Sequence, residues 1–285
     1  MKKKKAKEKK RKLLIPLYLA ISILIIFLAY IIYLQIHEPS NSRDWSHDQA
    51  VLAYAKINES GLTLYNIRNF SYTTKSNYTS NYYNNTLDIN KLDSLWYIVE
   101  PFSNFGGTAH TFLSFGFEEE YIALSVEIRK EKGEVYSPIK GLFNKYELMY
   151  VWGNEEDLIQ LRSNYRKDEV FLYPVNTTRE RAQEVFLDAI RRTNKLKDSP
   201  EFYHSITNTC TTSIAKHANE AAPNSIPYFK IGMLFPGYSD KLAYKIGIID
   251  TDLPYEEIRN HFKINKRAMN TSSNIPFSQR IRRFE

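Results

Sequence analysis

Cysteine is almost absent: Cys210 is the single one in 285 residues. No internal disulfide can form, and no Cys-x-x-Cys pair exists to hold a metal or run dithiol chemistry. The histidines show no His-x-x-x-His spacing, so no metal is expected. Glycine is sparse at ten residues, and none of it makes a phosphate-cradling loop, so no nucleotide cofactor is expected either. A basic surplus is missing from most of the chain. Residues 2–12 carry nine Lys/Arg against Glu8, a balance of +8, whereas the whole chain carries +7. Everything after residue 12 therefore sums to −1, which argues against a nucleic-acid surface on the folded part. Long apolar runs are missing too, with one exception.

That exception is Leu13 to Leu34, 22 residues without a charge. At about 1.5 Å per residue it spans roughly 33 Å, enough for one bilayer crossing. A cleavable signal peptide would have a shorter apolar region and a small-residue cleavage site, which Gln35-Ile36-His37-Glu38-Pro39 does not supply. An uncleaved anchor is expected, single-pass in the inner membrane. The basic cluster should stay cytoplasmic and the remainder lie outside, in the periplasm.

The chain then divides into a basic tail (1–12), the anchor (13–35), a polar linker (36–44), a folded domain (45–262) and a flexible basic tail (263–285). Period-two alternation predicts strands at 63–70, 95–99, 109–117 and 121–129, with later ones at 147–151 and 170–175. In the third of these His110, Phe112 and Ser114 share one face, opposite Thr111, Leu113 and Phe115. Ser46 to Ile57 reads as a helix, 73–90 as a loop, and 155–164 as a helix. Thr177 and Glu180 have capping-box spacing ahead of an amphipathic helix to Lys195. The fold class is mixed α+β, an antiparallel sheet packed on a cysteine-bearing helix and preceded by one transmembrane helix.

Cys210 lies in Asn208-Thr209-Cys210-Thr211-Thr212, with Asn208 the expected N-cap. A thiol in a first helical turn meets the positive end of the peptide dipoles, which favours the thiolate. The flanking Thr and Asn residues argue against a purely apolar burial site. Among the histidines weighed as its partner, His37 and His47 sit near the membrane exit or in the first helix. His217 is two turns along the same helix, roughly 10 Å away and out of reach. His204, in the preceding loop, stays open. His110 follows the turn Phe105-Gly106-Gly107, which permits close approach, and is preferred as the base. Glu127, with Ser125 on the same strand face, is preferred to orient the imidazole; the alternative is a surface pair between Glu127 and Arg129.

The segments Tyr65-Asn66-Ile67-Arg68-Asn69-Phe70, His110-Thr111-Phe112-Leu113-Ser114-Phe115-Gly116-Phe117 and Ser125-Val126-Glu127-Ile128-Arg129 occur in that order. Asn208-Thr209-Cys210-Thr211-Thr212 and Phe235-Pro236-Gly237-Tyr238-Ser239-Asp240 follow them. Over roughly residues 60–252 the chain resembles the Lnb N-terminal periplasmic domain family, whose members are lipoprotein N-acyltransferases. The histidine-before-cysteine order also resembles circularly permuted NlpC-like, papain-fold thiol enzymes. The resemblance implies a membrane-bound thiol acyltransferase acting on lipid or lipoprotein, with Cys210 as nucleophile and His110 as base. Lnb proteins carry a multi-span membrane half after this domain, so a membrane-protein partner, or a different substrate, is expected here. The same cysteine–histidine pair would also serve a cell-wall amidase or peptidase, and a buried, inert Cys210 would make the chain a non-catalytic envelope protein.

Overall fold

The computed structural model describes residues 2–36, 38–58, 61–103, 106–270 and 274–284, so His37 and Phe105 lie outside the described residues. Two compact units divide the chain, Met1–Ser40 and Asn41–Glu285. The first contains helix α1 (Lys2–Ile36), whose stretch Leu14–Tyr33 has a mean hydropathy of 2.7 and is long and apolar enough to cross a membrane.

In the second unit the strands are β1 (Tyr54–Asn58), β2 (Gly61–Arg68), β3 (Ser71–Tyr72), β4 (Tyr78–Thr79) and β5 (Tyr82–Leu87). They continue with β6 (Leu92–Pro101), β7 (Ala109–Phe117), β8 (Glu120–Arg129), β9 (Glu147–Asn154) and β10 (Phe171–Pro174). The helices are α2 (Pro138–Gly141), α3 (Glu155–Gln160), α4 (Arg179–Asp198), α5 (Cys210–Ala221) and α6 (Ile231–Leu234). After them come α7 (Ser239–Lys245), α8 (Tyr255–Phe262), α9 (Asn265–Met269) and α10 (Phe277–Ile281).

The main sheet runs β1-β2-β9-β8-β7-β6-β10, with β5 also paired to β2; only β2 and β9 meet parallel. Side-chain alternation on β7 splits the core between the two faces. Leu113, Phe115 and Phe117 join Trp152, Phe186 and Ile214 under α4 and α5. Phe112 joins Ala123, Leu158 and Ile159 on the other face, beneath α3, α9 and α10. Burying such side chains contributes about 1.5–3 kcal/mol each, which is what holds helices to both faces.

Two features of the β7–β8 hairpin matter for the site. A two-residue turn, Glu118-Glu119, joins the strands, with Glu118 left-handed at φ 58°. At the far end the pairing stops at Phe112↔Ser125, whereas β6 continues beside β7 through Glu100↔His110 to Pro101↔Ala109. The hairpin thus forks, and residues 109–111 keep a strand neighbour on one side only.

Several sequence expectations are corrected. The helix expected over 46–57 is a 3-10 turn, His47–Gln49, followed by β1, because pairing with β2 and burial of Ala53 and Ala55 override a helical spacing. The loop expected over 73–90 contains β4 and β5, polar strands whose Asn and Thr side chains disguise the alternation. Thr178, rather than Thr177, caps α4 by accepting the Arg181 amide. The segment 263–285 is not a flexible tail through its length: α9 and α10 bury Ile264, Ala268, Phe277 and Ile281 in the second core.

Candidate active site

Cys210 is the first residue of α5. Thr209, not Asn208, is the N-cap, and with Thr212 it forms a reciprocal capping box. The Thr212 amide donates to Thr209 Oγ1 at 3.2 Å and the Thr209 amide donates to Thr212 Oγ1 at 2.7 Å. Sequence reasoning favoured Asn208 because Asn is a strong cap, but its side chain donates to the Phe202 carbonyl instead. The box fixes the first turn and sets the sulfur at the positive end of the helix. A second tie, Thr211 Oγ1 to Thr111 Oγ1 at 3.0 Å, pins this helix start to β7 at the fork.

The fork brings sulfur and imidazole together. Thr111, without a β8 neighbour, stands at the helix start and helps lower the Cys210 thiol pKa. His110, one residue earlier, is near enough to lower the pKa of the same thiol, whose sulfur also lies 3.8 Å from Thr211 Oγ1. Burial raises the thiol pKa, but His110 first and Thr111 second outweigh it and bring Cys210 down to about 7. Burial likewise depresses His110, yet the Glu127 carboxylate and the sulfur push it up to about 10. At neutral pH His110 is therefore protonated and the thiol about half ionised.

Behind the imidazole stands a relay. His110 Nε2 lies 2.6 Å from Ser125 Oγ, and that hydroxyl donates to Glu127 Oε1 at 2.6 Å. Nε2 is also 3.4 Å from Glu127 Oε1. Burial works against ionisation of Glu127, but His110, Arg162 and Ser125 hold it well below the usual carboxylate range. Both residues named for this strand face thus converge on His110, with the serine in closest contact. The alternative Glu127–Arg129 pair does not form: Arg129 donates to Asn41 and to the carbonyls of Gln49 and Ala50.

Arg162 is the residue that sequence reasoning missed. It lies in the π-turn Leu161–Arg166 after α3, only 3 % exposed. Its guanidinium donates to Glu127 at 2.8 Å and to Glu100 at 2.6 Å, while stacking on Phe112. Glu100 is fully buried and paired in register with His110. The one available signal was a carboxylate closing the apolar run Leu95–Val99, which needs a buried cation to be tolerated.

The remaining histidines take other places. His204 Nδ1 accepts from the amides of Ile206 and Thr207 and closes a local turn. His217 sits between Asp188 at 2.6 Å and Tyr150 Oη at 2.8 Å, tying α5 to α4 and β9. His47 packs on Tyr78, and His261 packs among Phe262 and Phe284. The Phe235–Asp240 segment closes one side of the site. The Gly237 amide donates to the Gly107 carbonyl, and a Cβ on Gly237 would fall 2.1 Å from the Gly106 oxygen. Asp240 accepts from Arg259 and Tyr173, which anchors the segment.

A family model, the Lnb N-terminal periplasmic domain, matches residues 78–237. The chain belongs to this family. The matched Lnb region runs from β4 to Gly237 and encloses His110, Ser125, Glu127, Arg162 and Cys210. No curated protein and no solved structure matches the chain. Membership of the Lnb family together with one apolar N-terminal helix fits a single-pass membrane protein with a periplasmic domain.

Proposed function

We propose that this chain is a membrane-anchored thiol acyltransferase acting on a lipid or lipoprotein substrate, with Cys210 as nucleophile, His110 as base and Glu127 as the orienting carboxylate. One observation carries the reading: a lone cysteine at a helix start, lowered to about 7 by a histidine that is itself backed by a hydrogen-bonded Ser–Glu–Arg relay. Structural cysteines do not need such an environment, and reactive ones do. The chain order, histidine strand before cysteine helix, supports reading the sheet and α5 as a permuted papain-like core.

The Cys210 thiolate attacks an ester carbonyl carbon of a lipid. The capping box consumes the amides of Thr209 and Thr212, so those of Cys210 and Thr211 are positioned to bind the oxyanion. The tetrahedral intermediate collapses by breaking the carbon–oxygen bond, and the His110 imidazolium gives its proton to the departing alkoxide. This leaves a Cys210 thioester and neutral His110. An amine then attacks the thioester, His110 takes a proton from the nitrogen, and thiolate departs as the amide forms. Ser125 and Glu127 hold the imidazole on the sulfur throughout, and His110 together with Arg162 keeps Glu127 ionised. The basic residues 2–12 set the anchor with its N-terminus in the cytoplasm, and the tether raises the effective concentration of lipid at the site.

Intact-protein mass spectrometry of the full chain from its native membrane tests the reading. A fatty-acyl mass increment localised to Cys210, lost in Cys210→Ala, is expected. A Cys210→Ala protein with undiminished transfer activity would refute it, and a peptide adduct at Cys210 would point to cell-wall amide chemistry instead.

A further inference from the structure

A cleft of about 140 Å³ is lined at one end by Thr211, whose hydroxyl lies 3.8 Å from the Cys210 sulfur, and continues along α5 to Ala222. From Thr211 to Ala222 the helix rises roughly 16 Å at ~1.5 Å per residue, and the free volume, similar to that of a cavity that takes benzene, accommodates several methylenes of a hydrocarbon chain. The α5 wall is kept low by Ala215, Ala218, Ala221 and Ala222, and the facing wall includes Leu113 of β7 and Leu242 of α7. The polar groups nearest the sulfur are consumed among themselves. Tyr97 Oη donates to Ser239 Oγ at 2.7 Å, Ser239 donates to the Pro236 carbonyl, and Thr211 is tied to Thr111. At the far end the Asn176 amide and side chain are spent on the Ile248 and Gly247 carbonyls. Apart from Arg181 and Thr177 at the far end, the walls are apolar or have their polar groups already paired, so burying a peptide's amides along the α5 stretch would cost several kcal/mol.

A second observation concerns the mouth. Ile226 and Met233 line the cleft, and between them the chain exposes Tyr228, Phe229, Ile231 and, one residue further, Leu234. Phe229 is 99 % exposed and Ile231 66 %, with Lys230 between them. Contiguous exposed aromatic and aliphatic side chains around a lysine suit the headgroup boundary of a bilayer.

We propose that this cleft holds one acyl chain of a membrane lipid, drawn in past the Tyr228–Leu234 rim, so that its ester carbonyl reaches Cys210. The inference rests on the acyltransferase reading for the identity of the substrate, but it makes a claim about binding that can fail separately. Small residues at 215, 218 and 222 become the determinants of how long a chain the site accepts.

The full chain carrying Cys210→Ala, reconstituted in phosphatidylethanolamine–phosphatidylglycerol vesicles, is irradiated with a phosphatidylglycerol whose acyl chain ends in a diazirine. Digestion and mass spectrometry should place adducts on 211–222 and 242–246 as well as on the anchor, residues 14–33. Adding Ala218→Phe should lower the cleft adducts at least tenfold and leave the anchor adducts unchanged as an internal control. Ala222→Phe, at the end of the cleft away from Thr211, serves the same purpose if the first variant does not fold. Adducts confined to the anchor, or cleft adducts that survive both substitutions, overturn the proposal. Cleft adducts abolished by the fillers, in a protein that never acylates Cys210, would uphold the cleft and remove the acyl-transfer chemistry instead.

Discussion

His110→Ala is the sharpest perturbation of the sulfur. The wild-type thiol, at about 7, is half ionised at pH 7. Removing the imidazole deletes the largest influence that lowers it and leaves burial, which raises it, opposed only by Thr111. The midpoint should return to about 9 or above, a change of roughly 3 kcal/mol in the preference for the thiolate. At pH 7 the thiolate fraction then falls about 50-fold, to near 1 %. A thiolate of higher pKa is also a better nucleophile, by about tenfold over two units for attack on a disulfide. The net rate with a dipyridyl disulfide at pH 7 should therefore drop only about fivefold, so the titration midpoint is the decisive readout. The assay is the rate of pyridinethione release against pH from 5 to 10, on matched folded proteins. A wild-type midpoint at 9, or a variant midpoint still near 7, would refute the pairing of sulfur and imidazole. In turnover the wild-type activity should rise as pH passes about 7, where the thiolate forms, and fall as it passes about 10, where His110 loses its proton.

Arg162→Met should cost about 3–5 kcal/mol in urea unfolding, because it leaves the buried Glu100 with only the more exposed Arg166, 3.5 Å away, and removes one of the two cations beside Glu127; a loss below about 1 kcal/mol would show the network to be dispensable. Gly237→Ala should destabilise by about 1–3 kcal/mol, since its Cβ meets the Gly106 carbonyl. A wild-type thermal midpoint for that variant would show that the Phe235–Asp240 segment moves freely over the turn. His217→Ala should lose about 1–3 kcal/mol by removing the buried hydrogen bonds to Tyr150 and Asp188, while the Cys210 midpoint stays near 7. A shift of that midpoint in His217→Ala would tie the second histidine to the site.

Much of the site could be read from the chain because its residues sit on strongly patterned elements. The β7 alternation placed His110 opposite Thr111, and β8 placed Ser125 and Glu127 on the face toward it. Cys210 revealed itself by isolation and by its polar neighbours, and the anchor by the length of its apolar run. What escaped depended on long-range pairing. Arg162 is one basic residue among many until α3 carries it beneath β8, 35 positions from Glu127. β1 spaces its apolar residues as a helix would and becomes a strand only because β2 lies beside it. Likewise, a basic composition after Lys266 hides Phe277 and Ile281, two apolar residues sufficient to seat α10. The cap moved by one residue because Asn208 found another acceptor, and competition of that kind has no local signature.

The turn Glu118-Glu119 governs chemistry far from itself. Strand side chains alternate with a period of two, so gaining or losing a single residue at this tip would rotate all of β8 by one position relative to β7. Ser125 and Glu127 would then point under α5 and Val126 would face the imidazole, with most ladder bonds re-formed. The His110–Ser125–Glu127 alignment is thereby encoded in the length of a surface turn some six residues from the nearest member, where an insertion would otherwise pass for harmless.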